Sequence, residues 1–270
     1  MTPDGAREIP SRDGYALVTG GAVRLGKAIT RRLAQDGWKV AIHYRKSADE
    51  ADTLVRDLKG AGREAVAVPC DLAEAAELPQ IFAKANAALG FCSLLVNCAA
   101  LFEYDDIGTI AEASMDKHVA TNLRAPVLLA RHFAAQLPDR AKGLIVNFLD
   151  QKVFNLNPDF LSYTITKSAL ASATELLAMA LAPRIRVCGV APGLTLRSGN
   201  QTEKGFAASH AQTPLGFGNT PDDIAEAVSF IARVPSMTGT IVTVDGGQHL
   251  VRRSHDVMFS YGAGGAPPQA

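Results

Sequence analysis

Leu149-Asp150-Gln151-Lys152-Val153-Phe154, continued by Leu161-Ser162-Tyr163-Thr164-Ile165-Thr166-Lys167, joins an apolar run to a long helical pattern. The run ahead of it, Gly143-Leu144-Ile145-Val146-Asn147-Phe148, is short, apolar and β-branched, and reads as a buried parallel strand. Behind it, Tyr163 to Ala182 keeps a helical period and stops at Pro183. Four residues separate Tyr163 from Lys167, so the two share one helix face. Asp150 falls at the carboxyl end of the strand, where open α/β sheets bind ligands. A phenol, an ammonium and a carboxylate thus converge on one crevice, an arrangement suited to proton donation.

Towards the N-terminus, Tyr15 to Thr19 is a strand leading into Gly20-Gly21-Ala22-Val23-Arg24-Leu25-Gly26 and then a helix to about Asp36. Strand, glycine-rich turn and helix form the context of a dinucleotide loop, with a pyrophosphate at the helix N-terminus. Gly20, Val23, Arg24, Leu25 and Gly26 are the candidate contacts, although Arg24 stands where such loops usually carry glycine. The second strand, Lys39 to Tyr44, ends in Arg45-Lys46-Ser47 without the acidic residue that grips the ribose of NAD. His43, Tyr44, Arg45 and Ser47, with Arg24, instead suit a 2′-phosphate, so the expected cofactor is NADPH. The bland reading of the same residues is a solvated basic loop.

The third strand, Ala65 to Val68, runs into Cys70-Asp71-Leu72, where Asp71 accepts from an adenine amino group, caps the next helix, or does both. The fourth, Ser93 to Val96, ends in Asn97-Cys98-Ala99-Ala100-Leu101-Phe102. Small residues there let a flat ring lie against the backbone. Phe102 either fills core or offers a stacking face to an aromatic substrate. A helical pattern from about Ile110 to Ala135 contains Asn122, which faces solvent or holds a water or backbone carbonyl near Lys167. Beyond the central helix come the strand Arg186 to Val190, then Ala191-Pro192-Gly193-Leu194-Thr195. The polar run 196–218 is long for a compact domain and reads as a lid. Thr240 to Val244 is the last strand.

Strands alternate with helices along the chain, which predicts one α/β domain over 14–252: a doubly wound parallel sheet of about seven strands with helices on both faces, a Rossmann fold. Residues 1–13 read as a flexible leader and 253–270 as a mobile tail. The 270 residues are 47% hydrophobic, and 27 basic residues balance 27 acidic ones. Neutral charge leaves no electrostatic footprint for nucleic acid or an anionic membrane. The four cysteines form no CxxC pair and read as buried thiols in a reduced, cytoplasmic setting. No apolar run reaches the ~18 residues of a membrane span. The six histidines show no metal-ligand spacing, so no metal is expected.

The set Thr19-Gly20…Gly26, Cys70-Asp71-Leu72, Asn97-Cys98-Ala99-Ala100, Asn122, Tyr163…Lys167, Pro192-Gly193 and Val244-Asp245-Gly246-Gly247 resembles the short-chain dehydrogenase/reductase family from Tyr15 to about Arg252. The resemblance implies Tyr163 as general acid/base, Lys167 lowering its pKa and binding the nicotinamide ribose, and Asn122 completing a proton relay. It also implies cofactor contacts from Asn97, Ala99, Ala100, Leu149, Pro192, Gly193, Leu194, Asp71 and Leu72.

One departure is informative: that family usually has serine where Asp150 stands. Aspartate there, with Gly21-Ala22-Val23-Arg24-Leu25-Gly26, His43-Tyr44-Arg45-Lys46-Ser47 and Phe102, resembles the pteridine reductases and dihydromonapterin reductases. That likeness implies NADPH-dependent reduction of a pterin (dihydromonapterin, dihydrobiopterin or dihydrofolate) and substrate contacts from Phe102, Asp150, Tyr163, Leu194 and Arg24. It further implies Arg252 reaching a neighbour's site in a homotetramer. Ala100 departs from it, where a serine is common. The competing expectations are a carbonyl or 3-oxoacyl reductase with an incidental Asp150, and a non-catalytic dinucleotide-sensing protein.

Overall fold

Seven strands pair in parallel throughout: β1 (Tyr15–Val18), β2 (Lys39–Tyr44), β3 (Ala65–Pro69), β4 (Cys92–Asn97), β5 (Gly143–Phe148), β6 (Ile185–Pro192) and β7 (Ile241–Val244). Their order in the sheet is β3-β2-β1-β4-β5-β6-β7 in the computed structural model, which describes residues 9–197 and 201–260. The order reverses between β1 and β4, so a crevice opens at the carboxyl ends of these two strands.

The strands carry near-continuous apolar runs because both faces are covered. Ala16 and Val18 point to one core with Ile29 and Leu33 of α1 (Arg24–Gln35), Leu54 of α2 (Ala48–Gly60) and Val228 of α8 (Pro221–Arg233). Tyr15 and Leu17 point to the other, with Ile81 of α3 (Leu78–Leu89) and Phe133 of α5 (Ala125–Gln136). The period of two along β1 therefore feeds both layers. α6 (Leu161–Leu181) lies on the second face, its Ala178 within that core.

The helical pattern from Ile110 to Ala135 is not one regular helix. α4 (Glu112–His118) passes into a π turn, Val119–Arg124, before α5. Pro126 supplies a reason: it has no N–H to give the carbonyl of Asn122 four residues earlier, so the α-ladder breaks there.

Three segments are more structured than their composition suggests. The expected lid 196–218 contains α7 (Glu203–Ala211), capped where Thr202 Oγ1 accepts from the Gly205 N–H at 3.0 Å; residues 198–200 lie outside the described residues. Of the expected leader, 1–8 lie outside them, while Ser11 accepts from Ser93 Oγ at 2.6 Å and Arg12 stacks 4.3 Å over Trp38. The expected tail contains α9 (Val257–Ser260), packed through Phe259 against Tyr104 and Phe160; 261–270 lie outside the described residues. Paired side chains and buried aromatics order segments whose small residues alone promise nothing.

Candidate active site

A cavity of about 590 Å³ opens at the carboxyl ends of the strands. Its cofactor end is built on the turn between β1 and α1. Gly20 adopts φ +64°, and a Cβ on Gly26 would lie 2.1 Å from the Gly20 carbonyl oxygen, so only glycine fits at 26. Arg24 occupies the left-handed region too, at φ 51°, which is the reason such loops favour glycine at this position. Its guanidinium is exposed and donates to the Arg197 carbonyl at 2.9 Å, across the cavity mouth.

His43 is the buried support of this turn. Its Nδ1 accepts from the Gly20 N–H at 3.1 Å and its Nε2 faces the Cys70 carbonyl at 3.0 Å, which fixes the proton on Nε2. Burial pushes its pKa down to about 4. Thr19 Oγ1 performs the matching task on β4, accepting from the N–H groups of Cys98 and Ala99 at 2.9 and 3.0 Å. Asp71 accepts from the Ala73 N–H at 3.0 Å and stands 3.8 Å from Arg45, so it closes its own turn as well as lining the cavity.

At the other end, Tyr163 Oη donates to Asp150 Oδ2 at 3.0 Å, and Asp150 Oδ1 accepts from the Lys152 N–H at 2.9 Å. Burial raises the Asp150 pKa; burial and then Asp150 raise that of Tyr163 well above its ordinary value. Lys167 donates to the Phe148 carbonyl at 2.7 Å, 5.6 Å from the Tyr163 ring centre, and burial lowers it to about 8. At neutral pH the set is therefore a protonated phenol bonded to the Asp150 carboxyl, with the Lys167 ammonium alongside. Phe102 lines the cavity 39% exposed, stacked at 4.2 Å on Phe160 and edge-on to Tyr163 at 4.7 Å.

The cavity brings together Gly20, Val23, Arg24, Leu25, Gly26, His43, Arg45, Asp71, Leu72, Ala99, Ala100, Phe102, Leu149, Asp150, Tyr163, Lys167, Pro192, Gly193 and Leu194 of the residues expected from sequence. It does not include Tyr44, Ser47, Asn97, Asn122 or Arg252. Ser47 only precedes α2, with no side-chain cap bond. Asn97 donates to Asn147 Oδ1 at 2.9 Å, and Asn147 to Thr174 Oγ1 at 3.0 Å, a buried chain joining β4, β5 and α6. Asn122 grips Leu101, accepting its N–H at 2.7 Å and donating to its carbonyl at 2.9 Å. It thereby positions the loop that carries Phe102, and its Nδ2 also donates to Thr166 Oγ1 at 3.3 Å, next to Lys167 in sequence. Arg252 is exposed in a separate surface groove beside Phe154 and His249.

Sequence reasoning passed over Gln151, Lys152, Gln248 and Asp256, all of which line the cavity. Gln151 and Lys152 directly follow a strand-end carboxylate, which is signal enough to flag them. Asp256 sits beyond the last motif and had none. The chemistry of the set fits a phosphorylated dinucleotide: a glycine turn with no room for a Cβ, cationic Arg24 and Arg45 at one end, and a proton donor at the other. Among the described residues no cluster of three His, Cys, Asp or Glu is placed to hold a metal, and no helix is long and apolar enough to cross a membrane.

Comparison with known proteins agrees with this geometry. A family model described as enoyl-(acyl carrier protein) reductase matches residues 21–249. The crystal structure of FolM alternative dihydrofolate reductase 1 from Brucella canis, complexed with NADP, is 40% identical, with a TM-score of 0.87 over 91% of this chain and 97% of that one. An uncharacterised oxidoreductase from Methylorubrum extorquens is 34% identical over 86% of this chain and 96% of its own. A 3-oxoacyl-[acyl-carrier-protein] reductase from Staphylococcus epidermidis is 28% identical over 87% and 98%.

Proposed function

The chain belongs to the short-chain dehydrogenase/reductase family, and we propose that within it the protein is an NADPH-dependent reductase of a dihydropterin. The observation that carries this reading is the Tyr163–Asp150 hydrogen bond at 3.0 Å in a cavity walled by Phe102. Both Asp150 oxygens act as acceptors here, one from Tyr163 Oη and one from the Lys152 N–H, and acceptor oxygens suit the ring N–H or amino group of a pterin better than the oxygen of a ketone. The likeness to a dihydrofolate reductase crystallised with NADP supports the same choice.

The cofactor, once bound, supplies the hydride to a carbon of a ring C=N bond. The protein's part is the proton. Tyr163 carries it at Oη, with a pKa high enough to keep it there at neutral pH. Asp150 orients the phenol and holds the substrate's N–H edge. Lys167, charged at pH 7, stabilises the phenolate as the proton leaves for the ring nitrogen. Phe102 supplies a face against which a flat ring stacks, and holding the ring in place contributes much of the rate. Arg24 and Arg45 would hold the 2′-phosphate and the glycine turn the pyrophosphate.

A second reading has a specific basis, the 3-oxoacyl reductase among the relatives. Asp150→Ser separates the two. A pterin reductase loses activity by about 100-fold or more, whereas a ketone reductase keeps or gains it. NADPH consumption by the purified protein with each dihydropterin is the primary assay; brisk ketone reduction alongside indifference to every dihydropterin would overturn the proposal.

A further inference from the structure

The 3₁₀ turn after Asp150 (Gln151–Phe154), with Asn155 behind it, is fastened at two points to the segment that leads into α9. Asn155 Nδ2 donates to the Val251 carbonyl at 2.8 Å, and the Lys152 ammonium donates to Asp256 Oδ2 at 3.2 Å. Lys152 is 3% exposed, donates also to the Asp159 carbonyl at 2.6 Å, and lies 5.2 Å from the centre of the Phe160 ring. Phe160 in turn stacks on Phe102 and on Phe259 of α9. Asp256 Oδ1 accepts from the Met258 N–H at 3.0 Å, and the Asp256 N–H donates to Asp159 Oδ2 at 2.6 Å. Both carboxylate oxygens of Asp256 are thus engaged inside the protein, as a fastening is.

The tie ends at the reacting groups. Lys152 holds Asp256 with its side chain and Asp150 with its backbone, the N–H donating to Oδ1 at 2.9 Å. Asp150 Oδ2 then accepts from Tyr163 Oη at 3.0 Å, so one run of bonds joins the phenol to the segment opening α9. Burial is the main cause of the raised Asp150 pKa; Asp256 adds to it and Lys152 opposes it, so the charges of the pair reach the carboxyl. A buried ion pair is a costly way to hold a tail in place, and its best-attested use is to fix one register among alternatives.

We propose that Lys152 and Asp256 are positioning residues for proton delivery: through their ion pair, the last helix seats the turn that aims Asp150 at Tyr163. The inference rests on the reading of Tyr163 and Asp150 as the proton-delivering pair, and not on the identity of the substrate. Without the ion pair the turn keeps its backbone bond to Asp150 but loses the anchor that fixes its place. Hydrogen bonds weaken steeply as their angle closes, and a misplacement of about 1 Å can cost about 100-fold in rate.

The test is Asp256→Asn in the full chain, read by hydrogen exchange over residues 150–155 and by kcat on whichever dihydropterin or ketone the parent reduces. Asparagine keeps an oxygen for the Met258 N–H and turns its amide NH₂ towards the ammonium, so the ion pair alone is lost. Exchange over 150–155 is expected to rise by about tenfold and kcat to fall by about tenfold. KM and the Kd for NADPH should stay within twofold of the parent, which also reports that the variant is folded. Lys152→Met should do the same, and the double variant should be no worse than either single, because all three break one tie. A tail that is merely fastened down would exchange faster over 251–259 alone, and that result overturns the proposal. Faster exchange over 150–155 with kcat within twofold of the parent overturns it too, as do falls in kcat that multiply in the double variant or that come with an equal loss of NADPH affinity. Should Lys152→Met not bind NADPH, Asp256→Asn decides alone. Tyr163→Phe separates the inference from the reaction it serves: if that variant turns over like the parent, the assigned proton donor falls, while exchange still reports whether α9 seats the turn.

Discussion

On the proposed reaction, turnover depends on Tyr163, and its environment explains why it keeps its proton until it is needed. Burial and the neighbouring Asp150 raise its pKa, so the phenol is intact at neutral pH, and Lys167 lies close enough to stabilise its anion. Tyr163→Phe should lower kcat by about 100-fold or more while leaving NADPH affinity near that of the parent; steady-state kinetics beside a cofactor titration checks both. His43 gives a prediction in pH. Its folded pKa of about 4 lies below the ordinary value of 6.5, so the unfolded chain takes up a proton that the folded chain refuses. Stability is therefore present above pH 6.5 and falls as pH drops from 6.5 towards 4, by roughly 3 kcal/mol in all. Urea denaturation across that window should show the slope, and His43→Asn should remove that part of it. The tyrosine, lysine and aspartate were legible in sequence because spacing and strand-end position are local properties. The support role of His43 was not, since the Gly20 N–H it receives comes from another strand.

At the scale of elements, the N-terminus of α6 needs outside help, because its own cap residue, Phe160, sits at φ 55° with no side chain able to cap. Asp105 does the work from the loop after β4: Oδ1 accepts from the Ser162 N–H at 2.9 Å, Oδ2 accepts from the Ser162 hydroxyl, and its carbonyl accepts from the Leu161 N–H at 3.0 Å. These bonds seat the turn on which Tyr163 stands. Asp105→Ala leaves buried donors unpaired and should cost about 1–3 kcal/mol in chemical denaturation, with a lower kcat as the phenol loses its register. The turn before α1 makes the opposite experiment. Arg24→Gly removes a left-handed arginine, stabilising the fold by about 1 kcal/mol, yet it removes a cation from the phosphate end and should raise the Kd for NADPH. Thermal unfolding and cofactor titration should thus move in opposite directions. The helix α6 was legible from its period; the π turn was not, because it depends on one missing N–H at Pro126 and on the bonds of Asn122 to Leu101.

For the molecule as a whole, the parallel sheet was readable from the alternation of strand and helix patterns, because the strands are mostly apolar and the long helices bury one face. What escaped was the path of the chain after Arg252, where polar side chains and aromatics that pair over long separations decide the structure. Lys152 and Asp256 are 104 residues apart, and no local pattern links them. A ligand that bridges the crevice should stabilise the entire fold: at a hundred times its Kd, NADPH should add about 2.7 kcal/mol to unfolding, seen as a concentration-dependent rise in Tm that NADH does not match.

The two ends of the described chain lie at opposite rims of the sheet. Ser11 is bonded beside the starts of β4 and β5, whereas α9 packs against the aromatic wall of the cavity. The helix α9 therefore stands at the doorway through which a substrate must pass, while Ser11 lies on the far side of the sheet. An affinity handle or a sensor surface joined at the front of the chain should leave turnover as it is. The same handle joined at the back should slow entry and exit, and comparing the two fusions would read out how much of that doorway the last helix controls.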